Sequence, residues 1–261
     1  MKYDNLIFEK ADRVAILRLN RPLAFNAADI GLFEDLIKAL EVCAVDEEVK
    51  VIVITGEGKA FCAGGDVAMF NSYPDPGEAI RQLTKRLHFT ISGIRRGPKP
   101  VIAMINGTAA GAGLSLAAAC DLRICAASVK FRQAYTSIGL VPDGAWTLFV
   151  PLLIGFGKAS ELAYLDPVFD ANEALTMGLV NKVVEDGELE RTTRQVALKL
   201  AQGATLSYAI VKENFNEAML GSLERLLELE RGGIIRAGKT KDAREGIAAF
   251  IEKRQPSFKG Q

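Results

Sequence analysis

The chain has 261 residues, 49% hydrophobic and 25% charged, with 32 basic against 32 acidic side chains and so no formal net charge. That balance lacks the basic excess of a nucleic-acid binder or a polybasic membrane-surface protein, so the expected partners are small molecules or like subunits, with no nucleic acid and no membrane. The length suits one large domain, or one domain with a smaller appendage.

The opening residues 1–20 carry Asp4 and Glu9 among their apolar positions. They have neither the hydrophobic region of a signal peptide nor the Arg/Ser-rich character of a transit segment, and a cytoplasmic protein is expected. Val14, Ile16 and Leu19 predict a strand that ends at the Asn20-Arg21-Pro22 turn. Over residues 28–42, Ile30, Phe33, Leu36, Ile37 and Leu40 recur at three- and four-residue spacing, which predicts an amphipathic helix with Asp29 as its cap. The β-branched run at 50–55 predicts a strand covered on both faces, broken by Gly56-Glu57-Gly58. The cycle then repeats, with a helix over about 78–95, a strand over 101–105, a glycine turn over 107–113, a short helix over 114–120, and extended segments at 122–125 and 129–131. Asn106, Thr108 and the glycines interrupt residues 101–120 too often for a membrane span.

Beyond about Gly155 the pattern turns helical, at 159–165, at 171–177, over a long stretch at 189–215, in a charged helix bearing Leu223, Leu226, Leu227 and Leu229, and at 243–253. Strands alternating with helices across glycine turns predict an α/β layer architecture with right-handed crossovers. Residues 1–186 form the expected core, and 187–261 a helical C-terminal region whose apolar stripes pack on that core or on another subunit.

Four cysteines without a CxxC pair and a single histidine leave no zinc-type ligand set, and reduced, buried thiols are expected. Two glycine-rich turns follow apolar runs, one at 59–67 and one at 106–114. Turns of this kind are often plain tight connections, but they can also leave main-chain N–H groups free, and two brought together make an oxyanion hole. In the second turn Gly111 and Gly113 begin a dinucleotide fingerprint, but Leu116 stands where its third glycine belongs, and no glycine-lysine pair of a phosphate loop follows. The run Gly113-Leu114-Ser115-Leu116-Ala117 approaches a nucleophile elbow. That fold places its histidine last, whereas the only histidine here, His88, lies upstream between Leu87 and Phe89 and reads as structural. Asp143, between Pro142 and Gly144, reads alone as a turn or cap residue. Leu140, Val141, Ala145 and Trp146 would surround it with apolar walls and raise its proton affinity toward that of a general base.

Three stretches together, Asn106-Gly107-Thr108-Ala109-Ala110-Gly111-Ala112-Gly113, Cys120-Asp121-Leu122-Arg123 and Gly139-Leu140-Val141-Pro142-Asp143-Gly144, resemble the central signature of the enoyl-CoA hydratase/isomerase (crotonase) superfamily. Asn20-Arg21-Pro22, Phe61-Cys62-Ala63-Gly64-Gly65-Asp66, Gly178-Leu179-Val180 and the run from Ala249 to Arg254 extend the likeness over nearly the whole chain. The resemblance implies a spiral of repeated ββα units, a C-terminal region for trimerisation and active-site cover, and a homotrimer or dimer of trimers. It implies an acyl-CoA thioester as substrate, with coenzyme A as part of that substrate and no separate cofactor. It places the oxyanion hole at the Gly65 and Ala112 amides, sets Ala63, Asp66, Val67 and Ala68 along the coenzyme A moiety, and assigns Phe250 and Lys253 to its nucleotide end, where Lys253 reads equally well as a solvated helix-end charge. The two glutamates of family hydratases correspond here to Ser115 and Tyr135, neither of them a carboxylate, which leaves Asp143. One acid suffices to shift a double bond, so an enoyl-CoA isomerase is expected. Hydration, decarboxylation or dehalogenation of an acyl-CoA stand as alternatives, and a noncatalytic acyl-CoA-binding subunit as a reading of another class. Tyr135 would line the acyl pocket or donate a hydrogen bond there.

Overall fold

The computed structural model describes residues 3–261. It begins with β1 (Leu6–Ala11), β2 (Val14–Leu19), α1 (Ile30–Val45), β3 (Val51–Gly56), β4 (Ala60–Cys62), α2 (Val67–Asn71) and α3 (Pro76–Arg96). Next come β5 (Val101–Ile105), β6 (Thr108–Ala110), α4 (Ala112–Ala119), β7 (Leu122–Ala126), β8 (Lys130–Arg132), α5 (Trp146–Ile154) and α6 (Phe156–Leu165). The remainder comprises β9 (Phe169–Asp170), α7 (Ala171–Thr176), β10 (Lys182–Val184), α8 (Leu189–Ala201), α9 (Thr205–Met219), α10 (Leu223–Gly238) and α11 (Lys241–Glu252).

Two sheets organise these elements, one in the order β1-β2-β3-β5-β7-β10 and one in the order β4-β6-β8-β9. In three successive turns the chain gives its first strand to the large sheet and its second to the small one, as β3 then β4, β5 then β6, and β7 then β8. Within each sheet these strands pair in parallel. This winding is the spiral of repeated ββα units that the resemblance implies. Every residue of β3 is buried, as its β-branched run predicts for a strand covered on both faces. One cover is α8, which packs on β2, β3, β5 and β7. Past residue 186, then, the helices complete the layers, α10 lying on α3 and α11 on α2 and on the 3-10 turn at Thr136–Ile138.

Asp29 caps α1 as expected, its carboxylate accepting from the Leu32 N–H at 2.8 Å. Several segments differ from expectation: β4 and β6 are short strands inside the stretches expected as glycine turns, and helix α5 precedes the point at which the helical pattern was expected to begin. The strand β1 went unread because Asp12 and Arg13, which turn the chain back into β2, take left-handed φ values of 51° and 66° without a glycine to mark the hairpin. The helical stretch at 189–215 is two helices, broken at Gln202-Gly203-Ala204. Among the described residues, no helix is long and apolar enough to cross a membrane.

Candidate active site

The ends of β4 and β6 meet at two glycines. Gly64 has φ +108° and Gly111 has φ +49°, conformations strained for any residue with a side chain, and a Cβ on Gly111 would lie 3.4 Å from the Gly64 Cα. The first turn and the second are therefore in direct main-chain contact. Gly113 is closer still, since a Cβ there would fall 2.1 Å from the Cys62 carbonyl oxygen. The residues that follow the touching glycines are Gly65 and Ala112. At Gly65 the bonds from Ala28 N–H to the Gly64 carbonyl (2.7 Å) and from Asp66 N–H to the Ala28 carbonyl (2.9 Å) bypass the amide between them. Ala112 opens α4, where first-turn N–H groups have no intrahelical acceptor and the helix dipole is positive. Both residues line one cavity of about 360 Å³.

The cavity wall is largely apolar, with Phe70, Ile80, Leu83, Leu87, Leu140 and Ile234 on it. It carries two carboxylates, those of Asp66 and Asp143. Asp66 is already engaged: it caps α2 through the Met69 N–H and pairs with Arg21 Nη2 at 3.0 Å. Asp143 lies in the loop that leads into α5 and is 1% exposed. Its Oδ1 stands 2.6 Å from His88 Nε2, while its Oδ2 has no hydrogen-bond partner among the described residues. The surroundings of Asp143 are thus not purely apolar, as the flanking sequence predicted, because α3 supplies an imidazole.

The loop around Asp143 is fastened at three further points. Ser115 Oγ donates to the Asp143 carbonyl oxygen at 2.6 Å and the Tyr135 hydroxyl donates to it at 3.3 Å. On the far side, Glu230 accepts from Ala145 N–H at 2.6 Å, from Thr147 N–H at 3.0 Å and from the Thr147 hydroxyl. Burial pushes the Glu230 carboxyl up to about 7; the Thr147 bonds oppose that rise and the Asp143 charge adds to it. Burial also holds the Tyr135 phenol well above its ordinary value, with Asp143 contributing, so this hydroxyl is a donor and not a base.

Of the residues singled out in the sequence, Gly65, Ala112 and Asp143 share the cavity with Ala63, Asp66, Val67 and Ala68 of the first turn and with Tyr135 and Phe250. Ser115 is fully buried and lies outside the wall, held against the Asp143 main chain. Lys253 is also outside the wall, exposed at the C-cap of α11. Two residues that sequence reasoning did not place at the site are His88 and Glu230. The signal was present in both cases as a titratable residue on an apolar stripe. Glu230 falls in line with Leu223, Leu227 and Ile234 on the buried face of α10, and His88 with Thr84, Leu87 and Ile91 on that of α3.

Residues 9–261 match the profile of a family described as Enoyl-CoA hydratase/isomerase. A crotonyl-CoA hydratase of Syntrophomonas wolfei is 35% identical over 260 residues, 99% of each chain. A 1,2-epoxyphenylacetyl-CoA isomerase of Escherichia coli is 35% identical over 253 residues, 95% of each chain. The crystal structure of an enoyl-CoA hydratase from Mycobacterium avium subsp. paratuberculosis superposes with a TM-score of 0.90 at 31% identity, covering 99% of this chain and 100% of the other. Fold, turn geometry and sequence agree, and the chain belongs to the enoyl-CoA hydratase/isomerase family of the crotonase superfamily.

Proposed function

We propose that this protein is an enoyl-CoA isomerase, which moves a carbon–carbon double bond through a dienolate with Asp143 as the proton carrier. One observation supports this above the rest: of the two carboxylates on the cavity wall, Asp66 is committed to Arg21 and a helix cap, which leaves Asp143 as the single base. Water addition in the two-glutamate manner needs two acids, and the corresponding Ser115 and Tyr135 are neutral donors.

In the proposed reaction the thioester oxygen of a 3-enoyl-CoA accepts hydrogen bonds from the Gly65 and Ala112 amides. Asp143 takes a proton from C2, the electron pair moves toward the carbonyl, and negative charge builds on that oxygen. The same carboxylic acid then returns the proton to C4, giving the conjugated 2-enoyl-CoA. Each main-chain donor aimed at the developing oxyanion is worth about 10²–10³ in rate, and the positioned base a further 10²–10⁴. Coenzyme A enters as part of the substrate, along Ala63, Asp66, Val67 and Ala68, with Phe250 and the exposed Lys253 toward its nucleotide end. We read the assembly as a homotrimer or a dimer of trimers, which is supported by the exposed Leu206, Ile210, Phe215 and Met219 of α9.

Incubation with a 3-enoyl-CoA in deuterium oxide tests the reading. The expected result is 2-enoyl thioester absorbance without mass gain beyond exchanged label, abolished in Asp143→Asn while coenzyme A affinity stays within a few-fold. Mass gain by one water on a 2-enoyl-CoA would assign hydration instead. An unchanged thioester would leave a binding protein.

A further inference from the structure

We propose that His88 is a positioning residue for the reaction, donating its Nε2–H to Asp143 Oδ1 so that Oδ2 alone exchanges the proton with substrate. The proposal rests on Asp143 being the proton carrier. A separation of 2.6 Å between Nε2 and Oδ1 requires a hydrogen between the two atoms. His88 Nδ1 is buried with no partner among the described residues. A doubly protonated ring would therefore hide an unpaired cationic N–H, whereas the neutral tautomer with hydrogen on Nε2 leaves only an unfilled acceptor. The Asp143 charge also reaches Tyr135 and Glu230, both acids. Among the described residues, no other donor reaches the Asp143 carboxylate, so His88 supplies its one directional contact.

The element that supplies the imidazole is well suited to this. Helix α3 spans 21 residues, lies between α1 and α10, and buries His88 in its apolar stripe. The loop bearing Asp143 is held at its carbonyl by Ser115 and Tyr135 and at Ala145 and Thr147 by Glu230. These contacts hold the main chain on either side of the carboxylate and make no bond to its oxygens. His88 supplies that bond and determines which oxygen faces the carbon acid. A misplacement of about 1 Å at a reacting atom costs roughly 10²-fold in rate.

Two variants and one spectrum test this in the full-length, untagged chain. Glutamine can bring an amide N–H to the place of Nε2 but cannot carry a proton, and methionine keeps the bulk without a donor. His88→Met is expected to lower kcat about 100-fold with KM unchanged within about threefold, and His88→Gln to recover at least about tenfold of that loss. Melting temperatures near that of the parent chain would show that both variants fold. Equal loss in the two folded variants, or a His88→Met chain of undiminished kcat, would overturn the proposal. Since His88 is the only histidine, ¹⁵N-histidine labelling reads its tautomer without substrate. The expected spectrum has a protonated Nε2 and an unprotonated Nδ1 at neutral pH, with Nε2 shifted in Asp143→Asn. Two protonated nitrogens, or a hydrogen on Nδ1 alone, would refute the donor role even if turnover behaved as expected. Failure of the underlying reading looks different, because Asp143→Asn would then keep its turnover whatever the spectrum shows.

Discussion

Glu230 makes the stability of this protein depend on pH in a window where most carboxylates are silent. Its carboxyl is raised from 4.5 to about 7, chiefly by burial. A group whose proton is held more tightly in the folded chain stabilises that chain fully below its unfolded value of 4.5 and loses the contribution as pH climbs through about 7. A shift of about 2.5 units at about 1.4 kcal/mol each gives about 3.5 kcal/mol in full, a large part of a typical folding free energy. Glu230→Gln cannot titrate, so the stability of the parent chain minus that of the variant should fall by about 3 kcal/mol between pH 4.5 and 8, whatever constant offset the lost acceptor imposes. Urea unfolding at half-unit pH steps provides the curves. The only tryptophan, Trp146, lies between the two residues whose amides bond to Glu230 and is a local fluorescence reporter. A difference curve that stays flat across this window would refute the assignment of a perturbed, buried carboxyl to Glu230.

Gly113→Ala should be among the most damaging single-methyl changes, because the new Cβ would meet the Cys62 carbonyl oxygen at 2.1 Å and neither partner is a movable side chain. A loss of about 1–3 kcal/mol or more in urea unfolding, with reduced kcat as the two turns separate, is expected, and a variant of parental stability would contradict the contact. Ser115→Ala removes the 2.6 Å bond to the Asp143 carbonyl and leaves the 3.3 Å one from Tyr135. It should cost about 1 kcal/mol in stability and lower kcat several-fold with little change in KM, measured on a 3-enoyl-CoA if the proposed activity holds. All four cysteines are buried, with burial pushing Cys43 and Cys62 up to about 11 and Cys120 and Cys125 up to about 12. A thiol reagent at pH 8 should find none of them in the native chain and all four after denaturation.

The inner strands of the large sheet, β2, β3, β5 and β7, are readable in the residues themselves, for a local reason. Runs such as Val51–Gly56 and the stripe of α1 encode burial in spacing, and spacing survives without coordinates. What escaped was non-local or conformationally unmarked. The β1 hairpin turns on Asp12 and Arg13, whose left-handed backbone nothing in their side chains announces. The His88–Asp143 pair joins residues 55 apart, and Glu230 reaches Ala145 across 85 positions. Pairing over such separations is set by how α3 and α10 pack, which no window of sequence contains. Both residues nevertheless interrupted an apolar stripe with an ionisable group, and a charge at a core position raises the question of what it meets.

The meeting of Gly64 with Gly111 has a consequence for how such a chain can diversify. If the thioester is gripped there, the grip is written in peptide groups, and no substitution on the wall other than proline can take away its donors. In the proposed reaction the fate of the proton, by contrast, would be decided by exchangeable groups on neighbouring elements. A handful of replacements around positions 88, 115, 135 and 143 could therefore redirect the outcome of an enolate while the apparatus that creates it stays intact, a division of labour that lets one scaffold serve many reactions.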